Sequence, residues 1–303
     1  MPSPQSTPAW TSDSLRDPHH APDKAARVEQ MFAAIARSYD LNNRLHSFFR
    51  DQAWRHRVVQ LAAPTPQDRV LDVACGTGDL TLAFYNHSPR PVSITGLDFT
   101  QAMLDVAAIK LRRTLANHLS GGMTVPVVDH APANHSGGTG ILPVHNSDFS
   151  HHPSSATEHS LTHPPISFLR GDAMSLPFPH ASFDILTIAF GLRNIADPLR
   201  ALREFRRVLA PKGRLLILEF SSPRNPLIRA FNAVYCNRIM PFTASLIARD
   251  RSGAYRYLPR SVKTFMSPAE LASHLAPLGF TDITSRPLTF GVCTITSAHL
   301  PSH

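Results

Sequence analysis

The sequence predicts an α/β fold built on a doubly wound, mostly parallel sheet. Three observations carry this. Short apolar runs are bounded by turn residues, helical apolar stripes lie between them, and a glycine-rich turn joins the first run to a helix.

The first element is a helix with Val28, Met31, Phe32, Ile35 and Tyr39 on one face, and the second carries Trp54, Val58 and Leu61. Strands are expected at Val70–Ala74, Ser93–Asp98, Ile166–Arg170, Phe183–Phe190 and Gly213–Phe220. Each is short and apolar, as strands buried on both faces are. A helix from Thr100 places Met103, Leu104, Ala107, Ala108 and Leu111 on one side. Asp197-Pro198 is an N-cap with proline at the first helical position, and Pro211-Lys212-Gly213 is its expected stop. Ser267-Pro268-Ala269-Glu270 is a capping box, closed by Gly279. Thr281–Arg286 and Leu288–Thr296 read as two terminal strands, a hairpin that adds an antiparallel strand.

Outside this rhythm lie two segments. Residues 1–23 are rich in Pro, Ser and Thr and are expected to form a disordered tail. Residues 114–165 contain no Lys or Arg but eight of the 17 histidines. Connections between helix and strand usually take about 2–6 residues, so this is an insertion. It reads as a disordered surface loop in preference to a metal site, because no histidine pair sits at ligand spacing on a helix. The domain is therefore expected over 24–113 and 166–303.

At 303 residues and 43% apolar, the chain can bury a substantial core. Its apolar runs are far shorter than the roughly 20 residues of a membrane span. The start, Met1-Pro2-Ser3-Pro4-Gln5, lacks the pattern of a secretory signal. Cys75, Cys236 and Cys293 are too scattered for a disulfide or zinc framework, which fits a reducing cytoplasm. A net charge of +8 comes from dispersed basic residues with no Asn/Asp-Pro-Pro-Tyr/Phe run, which argues against a nucleic-acid partner.

The chemistry concentrates at Val70-Leu71-Asp72-Val73-Ala74-Cys75-Gly76-Thr77-Gly78-Asp79. Gly76 and Gly78 permit a sharp turn and close approach of a ligand, and Asp98 ends the second strand 20 residues after Gly78, where it can accept both ribose hydroxyls. A dinucleotide or S-adenosylmethionine would suit this pattern. Thr81 stands where a dinucleotide fingerprint wants a third small residue, and Asp72 and Asp79 suit a cationic sulfonium, so S-adenosylmethionine is favoured. Asp172-Ala173 follows the third strand, placed to read an adenine amino group, and Arg193-Asn194 follows the fourth.

These runs, with Gly96-Leu97-Asp98-Phe99, Leu176-Pro177-Phe178-Pro179, Phe190-Gly191-Leu192-Arg193-Asn194, Leu218-Glu219-Phe220-Ser221, Trp54-Arg55 and Tyr255-Arg256-Tyr257-Leu258, resemble the menaquinone/ubiquinone-biosynthesis C-methyltransferase family. The resemblance covers about residues 25–112 and 166–293. It implies a class I S-adenosylmethionine-dependent methyltransferase fold with a seven-stranded sheet, methylating a ring carbon of a prenylated quinol, demethylmenaquinol in the menaquinone branch. In the family Thr77, Asp98 and Asp172-Ala173 match cofactor-contact positions. Two departures stand out: Ala189, where a serine often precedes Phe190, and the ending Gly291-Val292-Cys293-Thr294-Ile295-Thr296.

A ring carbon is a poor nucleophile until a quinol hydroxyl ionises. Arg193, beside Asn194, is the expected cation for that step, with pairing to an acid such as Asp197 as the structural alternative. Tyr39, Asp40, Asp250 and Tyr255 are further candidates for ring positioning or proton removal. No metal is expected. Asn225–Arg249 is apolar on one side with arginines interleaved, which reads as a wall for a prenyl tail, a peripheral contact with the inner membrane face, or a helical cover on the sheet. A homodimer is left open. Methylation of a phenol oxygen or a sterol, and non-catalytic cofactor binding, are the competing functions.

Overall fold

The computed structural model describes residues 9–10, 15, 17–19, 21–88, 92–120, 166–240, 243 and 253–302. Its centre is a seven-stranded sheet: β1 (Arg69–Val73), β2 (Ser93–Asp98), β3 (Ile166–Arg170), β4 (Phe183–Ala189), β5 (Leu209–Phe220), β6 (Thr281–Leu288) and β7 (Cys293–His299). The spatial order is β3-β2-β1-β4-β5-β7-β6. The first five strands are parallel and β7 runs antiparallel between β5 and β6. The order reverses between β1 and β4, the switch point at which such sheets open a crevice at their carboxyl ends.

The helices are α1 (Lys24–His46), α2 (Arg50–Ala62), α3 (Asp79–His87), α4 (Gln101–Ser120), α5 (Pro198–Val208), α6 (Pro226–Val234), α7 (Ala254–Thr264) and α8 (Pro268–Leu275). Both faces of the central strands are buried, whereas the edge strand β6 is largely exposed. Leu215 and Ile217 of β5 pack with Phe205 of α5 and Leu275 of α8. Leu216 and Leu218 face the other way, with Val58 of α2 and Phe84 of α3. That alternation requires the continuous apolar run of residues 215–218 within β5, and Asp197 caps α5 by accepting from the Arg200 amide. The Ser267/Glu270 capping box forms with both of its bonds.

Four expectations need correction. Helix α5 ends at Val208, before Pro211-Lys212-Gly213, because β5 begins at Leu209. The last strand starts at Cys293, since Thr289–Gly291 forms a short turn with Phe290 at φ 57°. The first residues are not all free of the fold: Ala9, Trp10 and Leu15 are buried in a third cluster with Met31, Ile35, Met103 and Tyr257. Helix α4 continues to Ser120, through the first residues of the expected insertion. Residues 121–165, and with them the His-rich readings, lie outside the described residues.

Candidate active site

The carboxyl ends of β1 to β4 meet around one cavity, lined by Gly76, Asp98, Asp172, Ala173 and Asn194 among others. Gly76 and Gly78 both have positive φ, at 56° and 77°. A Cβ on Gly78 would also stand 3.0 Å from the Phe168 ring, so this position excludes any side chain. Asp98 is buried at the end of β2 and closes the turn: Oδ2 accepts from the Gly76 amide and Oδ1 from the Thr100 amide, each at 2.8 Å. Burial pushes its carboxyl above the usual range. Each oxygen keeps a lone pair for a ligand hydroxyl. Asp172 is fixed by accepting from the Met174 amide at 2.8 Å.

Asp72 and Asp79 do not face this cavity. Asp72 lies beneath the turn and accepts from the Thr81 and Thr187 hydroxyls at 2.7 and 3.1 Å. Its burial raises the carboxyl to about 6. Thr81, the residue at odds with a dinucleotide fingerprint, thus serves to satisfy Asp72. Asp79 belongs to a charge network spanning four helices. Arg44 of α1 holds it through two bonds of 3.1 and 3.3 Å, and Lys110 of α4 pairs with it closely. Lys110 also reaches Asp40 at 2.7 Å, while Arg44 and Arg55 both bind Asp51. Burial works against the Asp79 carboxylate, but Arg55, Lys110 and Arg44 together hold it well below its ordinary range. The Thr77 hydroxyl donates to Asp40 at 2.5 Å, so this network also clamps the glycine turn.

A second, larger cavity of about 770 Å³ opens beside the first, within the range of ligand sites. Its walls include Trp54, Arg55, Arg193, Phe220 and Tyr257, and it shares Phe32, Tyr39 and Phe190 with the first cavity. Phe190 has φ 58°, a conformation that costs a non-glycine residue about 1–3 kcal/mol unless its surroundings hold it. Its carbonyl accepts from Arg193 Nη1 at 2.7 Å and Asn194 Nδ2 at 3.1 Å. Burial pushes up the Tyr39 phenol at this junction.

Arg193 is buried and pairs with Glu219, not Asp197: Nη1 lies 2.6 Å from Oε1. Asp197 is occupied as the α5 cap. Among the described residues the buried Arg193 Nε has no hydrogen-bond partner. Asn194 Oδ1 accepts from Tyr257 Oη at 3.0 Å. Asp250 and the side chain of Tyr255 lie outside the described residues. The residue reading assigned no role to Glu219, Tyr257 or Lys110. Glu219 and Tyr257 stand within quoted motifs, but Lys110 has no local signal.

Helix α6 does not cover the sheet, because it buries no residue. Leu227 and Phe231 are 80% and 72% exposed, and Phe48 and Phe49 of the α1–α2 turn 74% and 62%. Phe48 meets Tyr235 with ring centroids 5.9 Å apart. No described helix is long and apolar enough to cross a membrane. Among the described residues, no three His, Cys, Asp or Glu are grouped to hold a metal.

Comparison with known proteins adds an independent finding. The profile of the ubiE/COQ5 methyltransferase family matches residues 21–134 and 120–299. A demethylmenaquinone methyltransferase of Thermus thermophilus is 38% identical over 88% of this chain and 97% of its own. One from Deinococcus radiodurans is 37% identical, over 89% and 91%. A ubiquinone/menaquinone biosynthesis C-methyltransferase of Geobacter sulfurreducens is 34% identical, over 90% and 88%. Among solved structures, a SAM-dependent methyltransferase of Thermotoga maritima shares the fold at a TM-score of 0.51 and 13% identity, covering 90% and 99%.

Proposed function

The chain belongs to the ubiE/COQ5 methyltransferase family, and on that premise we propose that it transfers a methyl group from S-adenosylmethionine to a ring carbon of demethylmenaquinol. One observation carries the reading: two cavities of different character meet at Phe32, Tyr39 and Phe190. The first fits the donor. Asp98 offers acceptors to the ribose hydroxyls, the space over Gly76 is open, and Asp172 with Ala173 forms the adenine end.

S-adenosylmethionine supplies an electrophilic methyl: the acceptor carbon gains it, the sulfur leaves as a neutral thioether, and the ring releases a proton. The chain's task is to align the partners, which contributes about 7–11 kcal/mol in well-oriented reactions. Phe190, held at positive φ, sets the wall between them. A phenol of pKa about 10 is mostly protonated near neutrality. Arg193 lines the larger cavity and is the cation placed to stabilise an ionised ring oxygen there; its Nε–H has no partner among the described residues. Glu219 holds that guanidinium in place.

The exposed apolar set Phe48, Phe49, Leu227 and Phe231 lies with Arg50, Arg224 and Arg229, which are exposed too. This combination supports peripheral contact with an anionic membrane surface, where a prenylated substrate resides. The test is purified protein with labelled S-adenosylmethionine and a chemically reduced demethylmenaquinone analogue. Label in a C-methylated ring is expected; label on oxygen, or none in any quinol, overturns the reading.

A further inference from the structure

We infer that Trp10 is a positioning residue for the reacting site, acting through Tyr257 and Asn194 on Phe190. The inference rests on the methyltransferase reading above. Trp10 lies before residue 21, where the family match begins. It is fully buried and stacks on Tyr257, with ring centroids 4.5 Å apart and planes at 26°. Tyr257 Oη donates to Asn194 Oδ1 at 3.0 Å, and Asn194 Nδ2 donates to the Phe190 carbonyl at 3.1 Å. Phe190 is the strained residue whose ring forms a wall of both cavities. A continuous chain of contacts therefore runs from Trp10 to the place where methyl and acceptor must meet.

Trp10 is itself held between α1 and α7. The Arg27 guanidinium lies 5.9 Å from the centroid of its ring, and Arg27 Nη1 donates to the Ala9 carbonyl at 2.8 Å. On the other side, Gly253 has φ 85° and a Cβ on it would stand 3.0 Å from the Trp10 carbonyl, so a side chain there would be strained and crowded against Trp10. Further along, His19 Nε2 meets the Ser261 carbonyl of α7 at 2.9 Å, and Lys24 Nζ donates to the Ile195 carbonyl at 2.5 Å. The same stretch, with Lys24 at the start of α1, thus meets α7 at Tyr257 and Ser261 and the turn after β4 at Ile195. Among the described residues the buried Trp10 Nε1 has no partner, and the contact with Tyr257 is made by the flat face of the indole.

The test compares Trp10→Ala, Trp10→Phe, Tyr257→Phe and the double variant Trp10→Ala/Tyr257→Phe. Trp10→Ala should lower kcat about tenfold, as expected of a small misplacement, with S-adenosylmethionine affinity within about twofold. Trp10→Phe, which keeps a flat ring, should restore turnover. The double variant should be no slower than Tyr257→Phe, because both act through one contact chain. Hydrogen exchange of the amides of residues 190–195 should quicken in Trp10→Ala and Tyr257→Phe and return to the wild-type rate in Trp10→Phe. Unchanged exchange in Tyr257→Phe, failure of Trp10→Phe to rescue, or losses that multiply in the double variant would overturn the inference. If Trp10→Ala does not fold, Tyr257→Phe and Trp10→Phe still decide it. Wild-type protein that methylates no quinol sinks the functional reading instead, and the exchange rates then judge the Trp10 chain separately.

Discussion

Replacing Arg193 by methionine removes a cation that is paired with Glu219 and proposed to act on the quinol, and the two effects can be separated. The Arg193 and Glu219 side chains are only 6% and 9% exposed. Breaking a buried pair by deleting one partner costs about 3–5 kcal/mol, because the other charge is left uncompensated. Glu219 retains two backbone donors, the Phe220 amide at 2.9 Å and the Arg193 amide at 3.4 Å, so the lower end, about 3 kcal/mol, is expected. That corresponds to a Tm lower by about 6–12 °C in a domain of this size. The double variant Arg193→Met/Glu219→Gln carries no buried charge at this site and should recover most of that loss. It should not recover turnover, which is expected to remain about 100- to 1000-fold down, as for a lost oxyanion donor. S-adenosylmethionine affinity by calorimetry should stay within about twofold, since the proposed contacts to its groups come from Asp98 and Asp172. Thermal melts, calorimetry and methyl-transfer rates on the two variants decide the case. Turnover within tenfold of wild type in the stable double variant refutes the assigned role and leaves Arg193 as a support for Phe190.

Asp98→Ala is expected to abolish measurable S-adenosylmethionine binding, since it removes the ribose acceptor and frees the amides of Gly76 and Thr100; unchanged calorimetric affinity in a folded variant would contradict the ribose role. Asp72 gives a pH signature. Its carboxyl is raised from 3.8 to about 6, so the folded state binds more protons than the unfolded between those values. Stability from this group is therefore present below 3.8 and lost as pH rises through about 6. Asp72→Asn, able to bond both threonine hydroxyls, should gain up to about 3 kcal/mol above pH 7, and a lower Tm there would count against the account. Leu227→Asp/Phe231→Asp should weaken co-sedimentation with vesicles containing phosphatidylglycerol while leaving S-adenosylmethionine affinity unchanged; undiminished sedimentation removes α6 from the membrane face.

Local patterning made most of the sheet legible. Ser93–Asp98 and Ile166–Arg170 were bounded by their turn residues alone, and the capping box at Ser267 announced α8. Asp98 was readable because a strand end and a glycine turn fix where its carboxylate must lie. Side-chain partners were much less so. Asp72 and Asp79 sit in the right motif to serve a sulfonium, yet their carboxylates are spent on Thr187, 115 residues away, and on Arg44 and Lys110, 35 and 31 residues away. Arg193 had a nearby acid in Asp197, but the partner that shares its buried space is Glu219, 26 residues on, at the end of the neighbouring strand. Composition also misjudged Trp10: a stretch rich in Pro and Ser gives no sign that one aromatic ring has a socket on Tyr257. The larger cavity was illegible for the same reason, since α1, α2, the ends of β4 and β5, and α7 all contribute walls.

The proposed joining of a donor site at Asp98 to an acceptor site at Arg193 accounts for C-methylation by this fold. Its most direct test is a single-turnover reaction of the purified protein with methyl-labelled S-adenosylmethionine and reduced demethylmenaquinone analogue, the product resolved by mass spectrometry and NMR. One labelled methyl on the quinone ring carbon is expected, formed by the wild type and strongly reduced in Arg193→Met/Glu219→Gln. Labelled methyl on a quinol oxygen, or quinol recovered unlabelled from protein that binds S-adenosylmethionine, would contradict it.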